Sequence, residues 1–197
     1  MCGLTGVAIH PEASDAERTL AAVAFNDLLV RTETRGRHAT GVAAYAPEGK
    51  RTLIAKRAED ATRFTKRKEY EAVLNGLADG HVSHLIGHTR YATQGAAHLD
   101  ENAHPFQFGA VTGAHNGIIS NWREIETALR KQGRKEAARG FRVDSEAAFA
   151  LLNSHQNKPH KALEKLRGYF ALTWLKGASL YVARTDAPLT LVYVREM

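Results

Sequence analysis

The sequence holds one cysteine, Cys2, in 197 residues. A single thiol cannot form an internal disulfide, and with no second cysteine there is no thiolate metal site, so a reducing compartment fits. No stretch approaches the roughly 18 uninterrupted apolar residues of a membrane span, and no basic segment leads into a hydrophobic one at the start, so neither a membrane protein nor a secretory leader is expected. The expected location is the cytoplasm. Internal repeats, low-complexity tracts and linkers are also missing, which leaves one domain over residues 1–197. What is present is ordinary for a packed globular protein: 44% apolar and 24% charged residues.

Charge of one sign is in modest excess, with 27 Lys+Arg against 21 Asp+Glu and a formal net charge of +6. Much of it sits in RFTKRK (63–68) and RKQGRKEAARGFR (130–142), so nucleic-acid binding has to be weighed. Both runs adjoin helix-like patterns with interspersed Glu, which favours solvated helix faces over a phosphate track. Ten histidines raise a metal site, above all His81, His84 and His88 near His98, His104 and His115. Alternation along a strand would send His81 and His84 to opposite faces, and no HExxH or facial-triad pattern accompanies them. No metal and no cofactor are expected.

The pattern along the chain is one of clustered strands and clustered helices. GLTGVAI reads as a strand, and Ser14-Asp-Ala-Glu17 as a capping box opening an amphipathic helix with Leu20, Ala24 and Leu28 as the leading apolar series beside Ala21, Phe25 and Leu29. TGVAAYA and TLIAKRA flank the turn Pro47-Glu48-Gly49, and Tyr70, Val73, Leu74 and Leu77 mark a second helix ended by Asp79-Gly80. HVSHLIGHTRYA is strand-like, a polar loop runs from Thr93 to about Phe108, and the strand GAVTGAH follows. Helices are predicted from Asn121 and from Asp144, and a short one after Pro159 reaching Leu166. YFALTWLK, SLYVART and LTLVYV close the chain as strands. Such clustering predicts an α+β fold of layered antiparallel sheets with helices on their outer faces.

Cys2 directly behind the initiator Met poses a chemical question. Methionine aminopeptidase removes Met before a small residue, and Cys2 would then carry a free α-amine. Its pKa of about 7.7 to 8.0 lies close enough to neutrality for the amine to accept the thiol's proton, so nucleophile and base share one residue. On those residues alone, a small buried side chain at the start of a strand is the commoner reading. Asn116-Gly117 likewise reads alone as a turn dipeptide, and Asp144 before Ser-Glu-Ala divides evenly between a helix cap and a site acid.

Six segments taken together change those readings. MCGLTG, RGRHATG, GHTRYATQG (87–95), NAHPF (102–106), AHNGII (114–119) and VDSEA (143–147) stand in the order of the class II glutamine amidotransferase domain, which the chain resembles from residue 2 to about residue 190. It is similar above all to the glutaminase domain of glucosamine-6-phosphate synthase, and HTRYATQG also to the amidophosphoribosyltransferase version. The resemblance implies the four-layer αββα sandwich of N-terminal nucleophile hydrolases and L-glutamine as substrate. It also implies a γ-glutamyl thioester on Cys2, with Asn116 and Gly117 forming the oxyanion hole. Arg90 would hold the α-carboxylate, Asp144 the α-ammonium, and Thr93, Gln94 and Gly95 would begin a loop over the bound glutamine. Arg35, Gly36, Tyr91 and His104, with Asn102 and Pro105, would support the site.

Two departures stand out. Arg37-His38 stands where the aminosugar enzymes of the family usually have an aromatic or other residue followed by Asp, and Gln94 where they have His, which leaves the acceptor open. The sequence ends after LTLVYVREM with no synthase domain. A glutaminase subunit that passes ammonia to a separate synthase is therefore expected, beside a fragment of a longer chain or a domain recruited for another amide. The rival functions are a different N-terminal-nucleophile amidase and a catalytically silent basic interaction module.

Overall fold

The computed structural model describes residues 2–92, 95–155 and 157–194. The first strand, β1 (Gly3–Ala8), leads to helix α1 (Asp15–Arg31). The capping box is formed at its start: the Ser14 hydroxyl accepts from the Glu17 N–H, and the Glu17 carboxylate accepts from the Ser14 N–H at 2.6 Å. The helix is not turned as its leading apolar series suggested. Ala22, Phe25 and Leu29 are buried, whereas Leu20 and Leu28 are 65% and 50% exposed. Apolar residues occur around the whole helix, so periodicity alone could not choose the packed face.

Strands β2 (Ala39–Ala46) and β3 (Arg51–Arg57) form the expected hairpin. They are followed by the single turn α2 (Ala61–Phe64), by α3 (Lys68–Ala78), which buries Tyr70, Val73 and Leu77, and by β4 (His84–Arg90). The first sheet has the order β1-β4-β2-β3 with antiparallel neighbours throughout. A second antiparallel sheet is ordered β5 (Phe106–Phe108), β6 (Val111–Ile119), β7 (Gly168–Leu175), β8 (Leu180–Arg184). Helices α4 (Trp122–Lys131), α5 (Asp144–Ser154) and α6 (Pro159–Leu163) belong to this half.

Burial divides the molecule into layers. Phe25 and Leu29 of α1 and Tyr70, Val73 and Leu77 of α3 pack on Val42, Ala44 and Leu85 of the first sheet. Leu129 of α4 and Phe149 and Leu152 of α5 pack on Val111, Phe170 and Leu172 of the second. Between the sheets lie Ala43, Tyr45, Ile86 and Leu175, with Leu180 against them. Helix, sheet, sheet and helix thus stack in the predicted αββα order.

Several boundaries differ from the sequence reading. Strand β4 begins at His84, three residues later than HVSHLIG suggested, and the expected polar loop contains β5 and a short turn of 3₁₀ helix over Asp100–Asn102. The helix after Pro159 stops at Leu163. Residues 189–194, predicted as a strand, are not one, and Leu191 to Val194 are 73 to 87% exposed. Strand propensity needs a neighbouring strand to satisfy its backbone, and among the described residues none pairs with this segment.

Acidic partners meet many of the basic residues: Arg67 pairs with Glu59, Arg63 with Asp60, Arg57 with Glu69 and Asp100, Arg130 with Glu126, and Arg139 with the buried Glu146. Among the described residues no helix is long and apolar enough to cross a membrane.

Candidate active site

The two sheets meet around Cys2. Antiparallel pairing with β4 places Gly3 opposite Thr89, so Cys2 comes beside the end of β4 and the Arg90-Tyr91 peptide. The Tyr91 N–H donates to the Cys2 Sγ at 3.2 Å. The Cys2 carbonyl accepts from Arg35 Nε at 2.8 Å and from Asn116 Nδ2 at 2.9 Å. Burial raises the Cys2 thiol above its ordinary pKa, offset in part by the Tyr91 N–H and by positive charges that include Arg90 and Arg35. The thiol is thus mostly protonated at neutral pH.

Cys2, Arg90, Tyr91, His104, His115, Gly117, Val143, Asp144 and Ser145 line one cleft. Arg90, at the end of β4, is 4% exposed, and burial lowers its pKa without removing its charge. Asp144 is the first residue of α5, and the cap position is Val143, which makes no side-chain cap bond. The Asp144 carboxylate accepts from the Ile119 N–H at 2.8 Å and the Ser145 N–H at 2.9 Å, which ties α5 to β6. The plain N-cap reading of Asp144 therefore fails on position. Asn116-Gly117 is no turn either, since both residues lie inside β6 opposite Ala171 and Phe170. Gly117 has φ +111°, and a Cβ there would run into the Tyr169 carbonyl of β7. Glycine is required here by the neighbouring strand as well as by backbone conformation.

Other residues of the six segments lie around this cleft. Gly36 packs on the Arg90-Tyr91 peptide so closely that a Cβ would overlap its backbone. His38, one of the departures, accepts the Ala92 N–H on Nδ1 at 2.9 Å, while its own N–H donates to the Arg90 carbonyl. These bonds brace the segment that bonds Sγ. Thr93 and Gln94 lie outside the described residues. Asn102 donates to the Ala96 carbonyl, as does Arg90 at 3.4 Å.

Three of the histidines come together. His88, His104 and His115 form a buried group, with ring centroids 4.0 Å apart for His88–His104 and 6.4 Å for His104–His115. Among the described residues no group of three or more His, Cys, Asp or Glu could hold a metal ion. Desolvation pushes His88 down to about 3, His115 to about 4 and His104 well below the ordinary range, so all three rings are neutral. Lys56 holds the carbonyls of Ala103 and Pro105 on either side of His104, at 2.7 and 3.2 Å. Burial lowers its ammonium to about 8.

A broader open groove follows α4 past Arg123, Glu124, Thr127, Ala128 and Lys131.

Residues 88–196 match a family described as a glutamine amidotransferase domain. The chain belongs to that family. This is the class II membership the six segments suggested. Among curated proteins, it is 32% identical to the glutamine–fructose-6-phosphate aminotransferase (isomerizing) of Acinetobacter baylyi, over 100% of this chain and 28% of that protein. It is 31% identical to the enzyme of the same name from Pyrococcus horikoshii, over 97% of this chain and 30% of that one. The chain thus spans under a third of the length of these relatives. Two solved structures share the fold. One is the allosteric regulatory enzyme of purine biosynthesis (TM-score 0.65, 23% identity, 93% of this chain and 37% of that one). The other is the glutamine phosphoribosylpyrophosphate amidotransferase of B. subtilis (TM-score 0.61, 22% identity, 93% and 36%).

Reading the amidotransferase domain from its sequence missed His38, Lys56, Val143, His115 and Ser145 as parts of the site. His115 and Ser145 sit inside quoted segments, and their polarity at positions that alternation assigns to the core was the available signal. Lys56 lacked even that.

Proposed function

We propose that residues 1–197 form one amidotransferase domain that hydrolyses L-glutamine to glutamate and ammonia through a γ-glutamyl thioester on Cys2. The observation that carries this reading is the single cleft lined by Cys2, Arg90, Gly117 and Asp144, with Asn116 bonded to the Cys2 carbonyl. Removal of Met1 gives Cys2 its α-amine. The amine takes the thiol proton as Sγ adds to the side-chain carboxamide carbon of glutamine. The carbonyl oxygen becomes an oxyanion, held by the Asn116 side-chain amide and the Gly117 N–H. The amine then passes its proton to the departing nitrogen, the C–N bond breaks, and ammonia leaves. Water adds to the thioester, with the amine again as base, and glutamate and the free thiol are regenerated.

Selection for glutamine comes from its head group. The Arg90 guanidinium offers two parallel N–H groups to the α-carboxylate, and the Asp144 carboxylate meets the α-ammonium. An amide without these charges would gain neither ion pair, which argues against another N-terminal-nucleophile amidase. Ammonia then passes to an acceptor at a synthase site beyond residues 1–197. The paired charges of the two basic runs weigh against a silent basic module.

Two measurements on one preparation test the reading. Protein whose intact mass lacks Met1 should release glutamate from L-glutamine, and protein that retains Met1 should not. Turnover by the Met1-bearing form would remove the α-amine from the mechanism. Tight binding of acidic polymers without glutamate release by the trimmed form would support the silent module instead. Arg90→Lys should raise KM at least about tenfold while lowering kcat less, because a point charge replaces a two-bond clamp; an unchanged KM would contradict the assignment of Arg90 to the carboxylate.

A further inference from the structure

His88 is 1% exposed and reaches from β4 to the second sheet. Its Nε2 lies 3.1 Å from the His115 carbonyl oxygen and 3.1 Å from the Asn116 Oδ1. Both oxygens are acceptors, so Nε2 has to carry the hydrogen. Burial, with His115 nearby, keeps the ring neutral down to about pH 3, and a neutral imidazole has only this one N–H to give. At the other end of the same side chain, Asn116 Nδ2 lies 2.9 Å from the Cys2 carbonyl oxygen. An asparagine turned by half a rotation would set its oxygen against that carbonyl and its NH₂ against the His88 N–H. Two hydrogen bonds would become two repulsions.

We infer that His88 is a positioning residue of the oxyanion hole: its Nε2–H holds the Asn116 Oδ1, so that the amide NH₂ is presented on the nucleophile's side. The inference rests on the glutaminase reading given above. Of the two Asn116 amide hydrogens, one serves the Cys2 carbonyl and keeps the nucleophile's backbone in place. The other is directed at the oxygen that becomes negative when Sγ adds. Because the donor is neutral, it fixes orientation without placing a charge beside the thiol, and it adds no titration of its own at working pH. The ring cannot drift, because His104 lies against it at 4.0 Å and Lys56 holds both carbonyls that flank His104.

A pair of variants of similar volume separates the donor from the packing. His88→Met removes the N–H, and His88→Gln can present an amide N–H near the position of Nε2. Glutamine hydrolysis by His88→Met should lose ~10- to 100-fold in kcat, within the range for a damaged oxyanion hole, with KM changed by less than about twofold. His88→Gln should recover most of the loss. In an Asn116→Ala background, His88→Met should cost less than about a further twofold, since the group it positions is gone. The same loss in both backgrounds, or no rescue by Gln, would mean that His88 only fills space.

The wild-type protein supplies a test that no folding defect can spoil. Nitrogen chemical shifts of the His88 ring should report the Nε2–H tautomer in the folded protein throughout pH 6.5 to 8, and an Nδ1–H tautomer or a charged ring there overturns the inference. If Cys2→Ala and Asn116→Ala both leave glutamate release intact, the glutaminase reading fails even where the tautomer result holds. The two failures are therefore distinguishable.

Discussion

Replacing Cys2 by alanine should abolish glutamate release from L-glutamine, by at least ~10⁴-fold, because removing a covalent nucleophile leaves only binding and the oxyanion hole. The fold should persist. The bonds from Arg35 and Asn116 go to the Cys2 carbonyl and survive truncation of the side chain, and the bonds lost are those of Sγ with the Tyr91 N–H and carbonyl. Glutamine should still bind, since Arg90 and Asp144 are untouched, and saturating glutamine should raise the melting temperature of the variant as any ligand of the native state does. Cys2→Ser should be nearly as inactive, because the α-amine cannot deprotonate a hydroxyl as readily as a thiol. Turnover retained in Cys2→Ala would refute the mechanism outright.

Acid is expected to unfold the domain early. The unfolded chain takes a proton on each histidine near the ordinary pKa of about 6.5. In the native state His88 holds out to about 3, His115 to about 4, and His104 also lies well below its ordinary value. Between about pH 6.5 and 4 the unfolded state therefore binds up to three more protons, so stability rises with pH and falls on acidification. Each such proton contributes about 1.4 kcal/mol per pH unit, or about 4 kcal/mol per unit for the three together. Against a total stability of about 5 to 15 kcal/mol, that is enough to bring unfolding between about pH 6 and 4. Urea unfolding at pH 7.5, 6.0 and 5.0 checks the slope above the range where carboxylates titrate. His104→Leu should flatten that slope by about one third. A urea midpoint unchanged from pH 7.5 to 5.0 would show that the three rings charge freely in the native state.

The fold was legible wherever the physical signal was local. The Ser14–Glu17 capping box, the hairpin around Pro47-Glu48-Gly49 and the stop at Asp79-Gly80 depend on neighbours in sequence, and each is present in the structure. What failed depended on partners far along the chain. Nothing in α1 distinguished Leu28 from Leu29, and the sheet decided which was buried. LTLVYV has strand composition but lacks a paired strand among the described residues, and Asn116-Gly117 resembles a turn yet lies within β6. For the site, the quoted segments pointed to Cys2, Arg90, Gly117 and Asp144, and the cleft brings these four together. Lys56 was invisible and His38 was noted only as a departure, because their bonds to residues 103, 105 and 92 come from the meeting of separate elements. The histidines were weighed as metal ligands and set aside; what the sequence did not show is that three of them approach one another as neutral rings filling the seam between sheets.

The carbonyl of Cys2 takes one bond from Arg35, just after α1, and one from Asn116, in the opposite sheet. Cys2 is thus fastened to both halves of the sandwich by a single backbone oxygen. A chain that has built only one half cannot have a seated sulfur, however complete that half is. Accessibility of the lone thiol to an alkylating reagent during refolding would therefore serve as a clock for the moment the halves join. Catalytic competence should emerge as the last event of folding.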